Sequence, residues 1–158
     1  MRDPRPVDAI DRKILAELQE EGRLTVTELA ARLPLSVSRC QRRLRELERS
    51  GVIRGYRAEV DAAAVGLGFS ALVFVTLDRE DRATVAAFED RLAGCAPVVE
   101  AQRLFGDPDY LLRVVAADLD AYRRLYDEQL ATLPGVRRLT STLVMKDVVT
   151  GRSLPLTR

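Results

Sequence analysis

Histidine is absent from this chain of 158 residues. Without an imidazole the protein cannot build Ser-His-Asp or Cys-His nucleophilic pairs, an imidazole general base, or the usual histidine-bearing zinc sites, which removes most simple hydrolases. Cysteine is nearly absent as well. Cys40 and Cys95 stand far apart, each in an apolar pattern, so neither CxxC chemistry nor a disulfide framework is expected and both read as buried free thiols. Long apolar runs are missing: the longest, FSALVFVTL from Phe69 to Leu77, falls far short of the roughly 20 residues that span a bilayer. The opening MRDPRPVDAID lacks the apolar segment of a secretory signal, so a soluble, cytoplasmic protein without membrane contact is expected. There is no GxGxxG, phosphate loop, internal repeat or low-complexity segment, and no cofactor or metal is anticipated. Nor is there a large charge excess, since 25 basic and 24 acidic residues leave a net charge of +1.

What is present begins with the distribution of that charge. Residues 1–60 carry 13 basic against 10 acidic side chains, whereas residues 61–158 carry 12 against 14, so the basic character belongs to the N-terminal part. VDAIDRKILAELQEEG offers Asp8 as N-cap, an apolar face of Ile10, Ile14, Leu15 and Leu18, and Gly22 as the stop, which predicts a first helix. TVTELAARL opens with Thr25 and has Glu28 three residues later, a capping box for a short second helix ended by Pro34. Ser36 caps a third helix that runs to about Ser50 and closes at Gly51. Three short helices with a tight turn predict a helix-turn-helix. Alternation in VIRGYRAEVD predicts a strand or small wing, and DAAAVGLG reads as a capped helical turn with a glycine hinge.

The third helix is the informative one. Its apolar stripe is Val37, Cys40, Leu44 and Leu47, and five arginines lie within residues 36–51. Ser38, Arg39, Arg42, Arg45 and Arg49 project from the far side. Taken alone such a face is most often solvated surface.

The second half changes rhythm. A strand at Phe69–Leu77 precedes a helix with Val85, Phe88 and Leu92 on one side; VVEAQRLF and YLLRVVA are strands joined across GDPD. A helix with Leu119, Tyr122, Leu125, Tyr126 and Leu130 and a last strand in VRRLTSTLVMKDVV complete the order. The order β-α-β-β-α-β predicts an α+β, ferredoxin-like sandwich with two helices on one face of an antiparallel sheet. The expected domains are 1–60 for the helix-turn-helix with its wing, a linker at 61–68, and 69–158 for the sandwich. Val73, Val75, Val98, Leu112, Val114, Leu143 and Met145 exceed what two short helices can cover, so the uncovered face is expected to bury itself against a second subunit.

VDAIDRKILAELQEEGR, LSVSRCQRRLRELERSGVIRGY and FGDPDYLLRV together resemble the leucine-responsive/asparagine-responsive (Lrp/AsnC, or feast/famine) transcription regulators over nearly the whole chain. The resemblance implies an N-terminal DNA-binding helix-turn-helix and a C-terminal ferredoxin-like domain. It further implies homodimers that assemble into tetramers or octamers and respond to an amino acid or similar small molecule. The chain departs from many relatives at the start of the third helix, where Val37 and Arg39 replace a proline-rich start, so its operator is expected to differ.

With a helix-turn-helix in place, Ser38, Arg39, Arg42 and Arg45 can enter a major groove of double-stranded DNA. A guanidinium pairs with phosphate or with the O6/N7 edge of guanine, the latter discriminating by about 1–3 kcal/mol. Ser36 and Ser38 can bond phosphate at the helix start. Arg43 lies nearer the buried edge, where a backbone contact or an ion pair with Glu46 or Glu48 competes with base reading. Arg54 and Arg57 are weaker phosphate candidates.

At the GDPD turn, Gly106 can bring a backbone amide near a carboxylate, and Asp107 or Asp109 can accept from an ammonium group. On the residues alone a structural hairpin is the stronger reading of that turn. The resemblance places an effector there, which carries over Gly106, Asp109 and Tyr110, with Asp107 and Pro108 as neighbours and Ser141 and Met145 on the last strand as further candidates. Siroheme decarboxylases share this layout and form the enzymatic alternative, disfavoured because they are expected to use histidines and this chain has none.

Overall fold

The computed structural model describes residues 6–156. Three helices come first: α1 Ala9–Glu20, α2 Val26–Ala31 and α3 Val37–Arg49. Each begins at the cap predicted for it. Asp8 accepts the backbone N–H of Asp11 while the Asp11 carboxylate accepts that of Asp8, Thr25 and Glu28 do the same around α2, and Ser36 accepts from Arg39 N–H. Such side-chain oxygens satisfy amide groups that the first helical turn leaves without partners. Ile14, Leu29, Ala30, Cys40 and Leu47 form a common core, with Leu44 and Ile53 packed at its edge.

Two expectations for this unit are corrected. Val37, assigned to the buried stripe, is 45% exposed, because at the first position of α3 it precedes the turn that packs on α1 and α2. Residues 52–60 form no strand, and Val52, Tyr56 and Val60 are exposed. Their alternating pattern finds no neighbouring strand among the described residues. Residues 61–68 form a turn capped by Asp61, whose carboxylate accepts from Ala63 and Ala64 N–H.

The second unit comprises β1 Phe69–Leu77, α4 Arg82–Ala93, β2 Val98–Arg103, β3 Tyr110–Ala116, α5 Leu119–Leu125 and β4 Val136–Leu143. The strands are antiparallel in the order β2-β3-β1-β4, the predicted ferredoxin-like arrangement. Beyond α5 the helix widens into a π turn over Tyr126–Leu130, in which Ala131 N–H reaches Tyr126 O at 2.8 Å. Gly135, at φ +72°, turns the chain into β4, and a Cβ there would collide with the Thr84 side chain.

The helix-covered face of the sheet carries the core. Ala71, Val73, Val75, Leu112 and Val114 are buried with Val85, Phe88, Leu92, Tyr122 and Leu125. Leu119, predicted for this face, is 54% exposed. The list of uncovered strand residues is therefore corrected as well: Val73, Val75, Leu112 and Val114 lie under the helices. Side chains alternate along a strand, so the two central strands present Leu72, Phe74, Leu111, Arg113 and Val115 on the other face, all half-buried in the single chain.

The last strand is shorter than predicted. It ends at Leu143, where only Val144 N–H to Ser70 O continues the ladder, because β1 begins at Phe69 and offers no further partner. Met145 follows, 99% exposed. Contacts then group the segment from Val149 with the residues up to Glu59, while Val60–Val148 form the other compact unit. This differs from the expected 69–158 grouping. The Gln19 side chain holds the tail, accepting Leu154 N–H at 2.7 Å and donating to Leu154 O at 3.4 Å.

Candidate nucleic-acid and effector sites

The α3 helix sorts its arginines into two groups. Arg39, Arg42 and Arg45 are exposed and, among the described residues, engage in no hydrogen bond or ion pair. Arg49, at the other end, pairs with Glu46 at 2.6 Å. Ser36 and Ser38 sit at the helix start with their hydroxyls 3.3 Å apart. The result is a charged surface on which Arg39, Arg42 and Arg45 are not neutralised by any other described residue, beginning at a helix N-terminus.

Arg43 belongs to the fold instead. Its guanidinium donates to the Asp8 carboxylate at 2.7 Å and to Asp11 at 2.8 Å, and the Asp11 side chain is 1% exposed. The hydrogen bond to Asp8, then that to Asp11, hold the Arg43 pKa above its ordinary value. The partners are neither Glu46 nor Glu48, the ones suggested by proximity in sequence, and the side chain is drawn toward α1 rather than outward. Gln41 is a residue that sequence reasoning passed over. It is exposed in the first half of α3, and its signal in the sequence is its place one helical turn before Arg45.

The β2–β3 turn presents a different picture. Gly106 has φ +133° with nothing within 4 Å of where a Cβ would stand, so its backbone is open to approach. The acids around it are occupied. Asp109 accepts Leu77 N–H at 2.7 Å, at the bulge where β1 slips against β4 between Thr76 and Leu77. Its own N–H donates to Val75 O, and its carbonyl accepts from Leu104. Asp107 accepts from Thr76 Oγ1 at 3.3 Å and lies 3.6 Å from the Arg138 guanidinium. Pro108, half-buried, stands between them.

Tyr110 is 3% exposed, its ring 4.6 Å from that of Phe88, and its hydroxyl donates to Glu89 at 2.8 Å. Burial first, then the Glu89 hydrogen bond and charge, push the Tyr110 pKa up to about 12. A tyrosine raised in the folded state stabilises that state below its unfolded pKa of about 10 and loses this contribution as pH climbs through the folded value. Spectrophotometric titration is therefore expected to show Tyr110 among the last tyrosines to ionise. Glu89→Gln should bring that step down by removing the neighbouring charge, and an unchanged step would contradict the assignment.

Ser141 and Met145 are not brought to this turn within one chain. Ser141 sits opposite Val73 and shares a hydrogen bond with the Tyr122 hydroxyl at 2.5 Å. Met145 lies past the Phe69 end of β1, whereas the turn adjoins the Val75–Leu77 end, roughly 25 Å along an extended strand. Residues missed beforehand are Thr76 and Arg138, whose places follow from strand register rather than from any local motif.

Comparisons with known proteins agree with this layout. Residues 7–54 match the family described as winged helix-turn-helix DNA-binding, and residues 70–154 match the Lrp/AsnC ligand binding domain. The leucine-responsive regulatory protein of Rhizobium meliloti is 41% identical over 142 residues, covering 90% of this chain and 91% of that protein. The Bkd operon transcriptional regulator of Pseudomonas aeruginosa is 36% identical, covering 95% and 98%. Among solved structures, a transcriptional regulator from Neisseria meningitidis in complex with L-Met superposes with a TM-score of 0.89 at 36% identity, covering 96% of this chain and 97% of that one. The relatives are transcriptional regulators, and none of these matches supports the decarboxylase alternative. With both of its units matched in sequence and nearly its full length matched in structure, the chain belongs to the Lrp/AsnC family of transcriptional regulators.

Proposed function

We propose that this regulator reads double-stranded DNA with the outer face of α3 and that an amino acid modulates its assembly. The observation that carries the first part is the set of three exposed arginines, Arg39, Arg42 and Arg45, which have no partner among the described residues and stand on a capped helix. Arginine in that setting supplies phosphate contacts and bidentate pairing to guanine. Gln41 fits the N6/N7 edge of adenine, and Val37, exposed at the helix start, fits a thymine methyl. Arg43 is left out of this set because its guanidinium is committed to α1.

The second part places the effector at the Gly106–Tyr110 turn, on the open backbone of Gly106 rather than on a free Asp109 carboxylate. A dimer is formed across the sheet face of Leu72, Phe74, Leu111 and Val115, with tetramers or octamers built from it. Dimers would present two recognition helices to paired half-sites. The absence of histidine and the regulator family favour a non-enzymatic role.

Mobility-shift titration against genomic fragments tests the DNA reading, since specific affinities lie at about 10⁻⁸ M or tighter and non-specific ones at about 10⁻⁴–10⁻⁶ M. Discrete complexes at nanomolar protein are expected. Uniform micromolar binding to every fragment would overturn sequence specificity. The effector reading predicts that one or more common amino acids raise the melting temperature, as any ligand of the native state must. No shift with any of them would reject it.

A further inference from the structure

In the N-terminal unit the segment from Val149 is recognised through its backbone. Within SLPL, residues 153–156, Pro155 biases Leu154 toward an extended conformation. An extended residue offers its N–H and C=O on one side, as a strand does to its neighbour. Gln19, the last residue but one of α1, meets both: its side-chain oxygen accepts Leu154 N–H at 2.7 Å and its nitrogen donates to Leu154 O at 3.4 Å. A carboxamide carries the same donor and acceptor as a peptide group, so Gln19 stands in for a neighbouring strand. Leu156 N–H also donates to Leu154 O, at 2.8 Å, closing a three-residue turn around Pro155. Leu154 and Leu156 thereby both border the groove that Leu15, Leu18 and Ile53 line.

The opposite wall of that groove is the chain leaving α3, Val52–Arg57. These residues have no strand partner among the described residues. Their ties run to the end of α3: Ile53 N–H donates to Leu47 O at 3.0 Å, and the Tyr56 hydroxyl donates to Glu48 at 3.0 Å. Further back, Gly151 passes Glu59 so closely that a Cβ would stand 3.2 Å from its carboxylate. Residues 151–156 therefore run along 52–59 and are fastened to α1, bracing the exit of α3. The fastening is light. Leu154 is 68% exposed, grooves of about 630 and 510 Å³ adjoin the segment, and Gln19 supplies its only hydrogen bonds from elsewhere among the described residues. Exposed hydrogen bonds with little apolar burial belong to the low end of local stability.

We propose that residues 151–156 are a releasable strap of the DNA-binding unit. Closed on Gln19, the strap holds residues 52–57 and, through Ile53 and Tyr56, the last turn of α3; released, it lets that exit loosen. A helix already held in place loses less freedom on binding, so DNA favours the closed strap. That last step rests on the reading of α3 as the recognition helix, whereas the strap itself is read without DNA.

The test uses the full chain as wild type, Gln19→Ala, Gln19→Glu, Leu154→Pro and the Gln19→Ala/Leu154→Pro double variant. Gln19→Ala removes both bonds, Leu154→Pro removes the N–H of the shorter one, and Gln19→Glu keeps the acceptor for it. Amide hydrogen exchange over residues 52–57 and the last turn of α3 should quicken about fivefold in Gln19→Ala and in Leu154→Pro, and stay within about twofold of wild type in Gln19→Glu. The double variant should exchange no faster than either single one, since both act on one contact. Melting of the unit should fall by about 2–5 °C in Gln19→Ala, although alanine is the better helix former and would otherwise hold or raise it. DNA affinity of that variant should drop about three- to tenfold with the salt slope unchanged, because no phosphate contact is lost. Wild-type exchange and melting in both single variants would overturn the strap, as would effects that simply add in the double variant. Faster exchange with unchanged DNA affinity would overturn its bearing on α3. If wild type binds no DNA specifically while the exchange pattern holds, the strap stands and the DNA reading falls.

Discussion

Arg43→Ala is expected to lower the stability of the N-terminal unit by about 2–3 kcal/mol, although the residue sits in the middle of the arginine-rich helix. The guanidinium bridges Asp8 and Asp11, and the Asp11 side chain is 1% exposed. Removing one partner of a buried ion pair costs on the order of 3–5 kcal/mol, reduced here because Arg43 and Asp8 keep some contact with water. In a domain of this size each kcal/mol moves the melting temperature by about 4–8 °C, so calorimetry should show a fall of roughly 10–20 °C in the transition of that unit. Below that transition the variant should keep DNA affinity within about threefold of wild type. A variant with unchanged melting and lost DNA binding would return Arg43 to the recognition surface.

The reciprocal pattern is expected for Arg39→Ala/Arg42→Ala. Both side chains are exposed and engage no partner among the described residues, so melting should stay within about 2 °C. DNA affinity should fall about a hundredfold, since a contact worth about 1.4 kcal/mol is a factor of ten. Fluorescence anisotropy on a bound fragment and calorimetry on the same samples separate the two variants. An equal loss of stability in the double variant would mean that these arginines serve the fold.

Legibility in the sequence tracked distance along the chain. The caps at Asp8, Thr25 and Ser36 were readable because each donor and acceptor lie within three residues. The buried trio Val85, Phe88 and Leu92 followed from helical period alone. The place of Arg43 near the buried edge, where an ion pair competes with base reading, was legible, but its partners were not, because Asp11 and Asp8 lie 32 and 35 residues away in sequence while Glu46 and Glu48 stand close by. The uncovered sheet face was misassigned for a related reason. Strand alternation says that two faces exist, and only the packing of α4 and α5 decides which parity they cover. Asp109 was readable as a turn acid but not as the acceptor for Leu77, which depends on a bulge in a strand 32 residues earlier. Met145 and the tail from Val149 show the same limit, since the end of β4 is set by where its partner β1 starts.

The central claim, that Arg39, Arg42 and Arg45 of α3, without partners among the described residues, grip the phosphates and bases of duplex DNA, is tested most directly by salt dependence. Binding to one specific fragment would be measured for wild type and Arg42→Ala across a range of salt concentrations. Neutralising a phosphate releases counterions, so log affinity falls linearly with log salt by about 0.9 per contact. Wild type is expected to show a steep slope, with Arg42→Ala weaker at every concentration and, if Arg42 holds a phosphate, shallower by about 0.9. Identical affinity and identical slope in the two proteins would contradict the account and leave the arginine face of α3 as solvated surface.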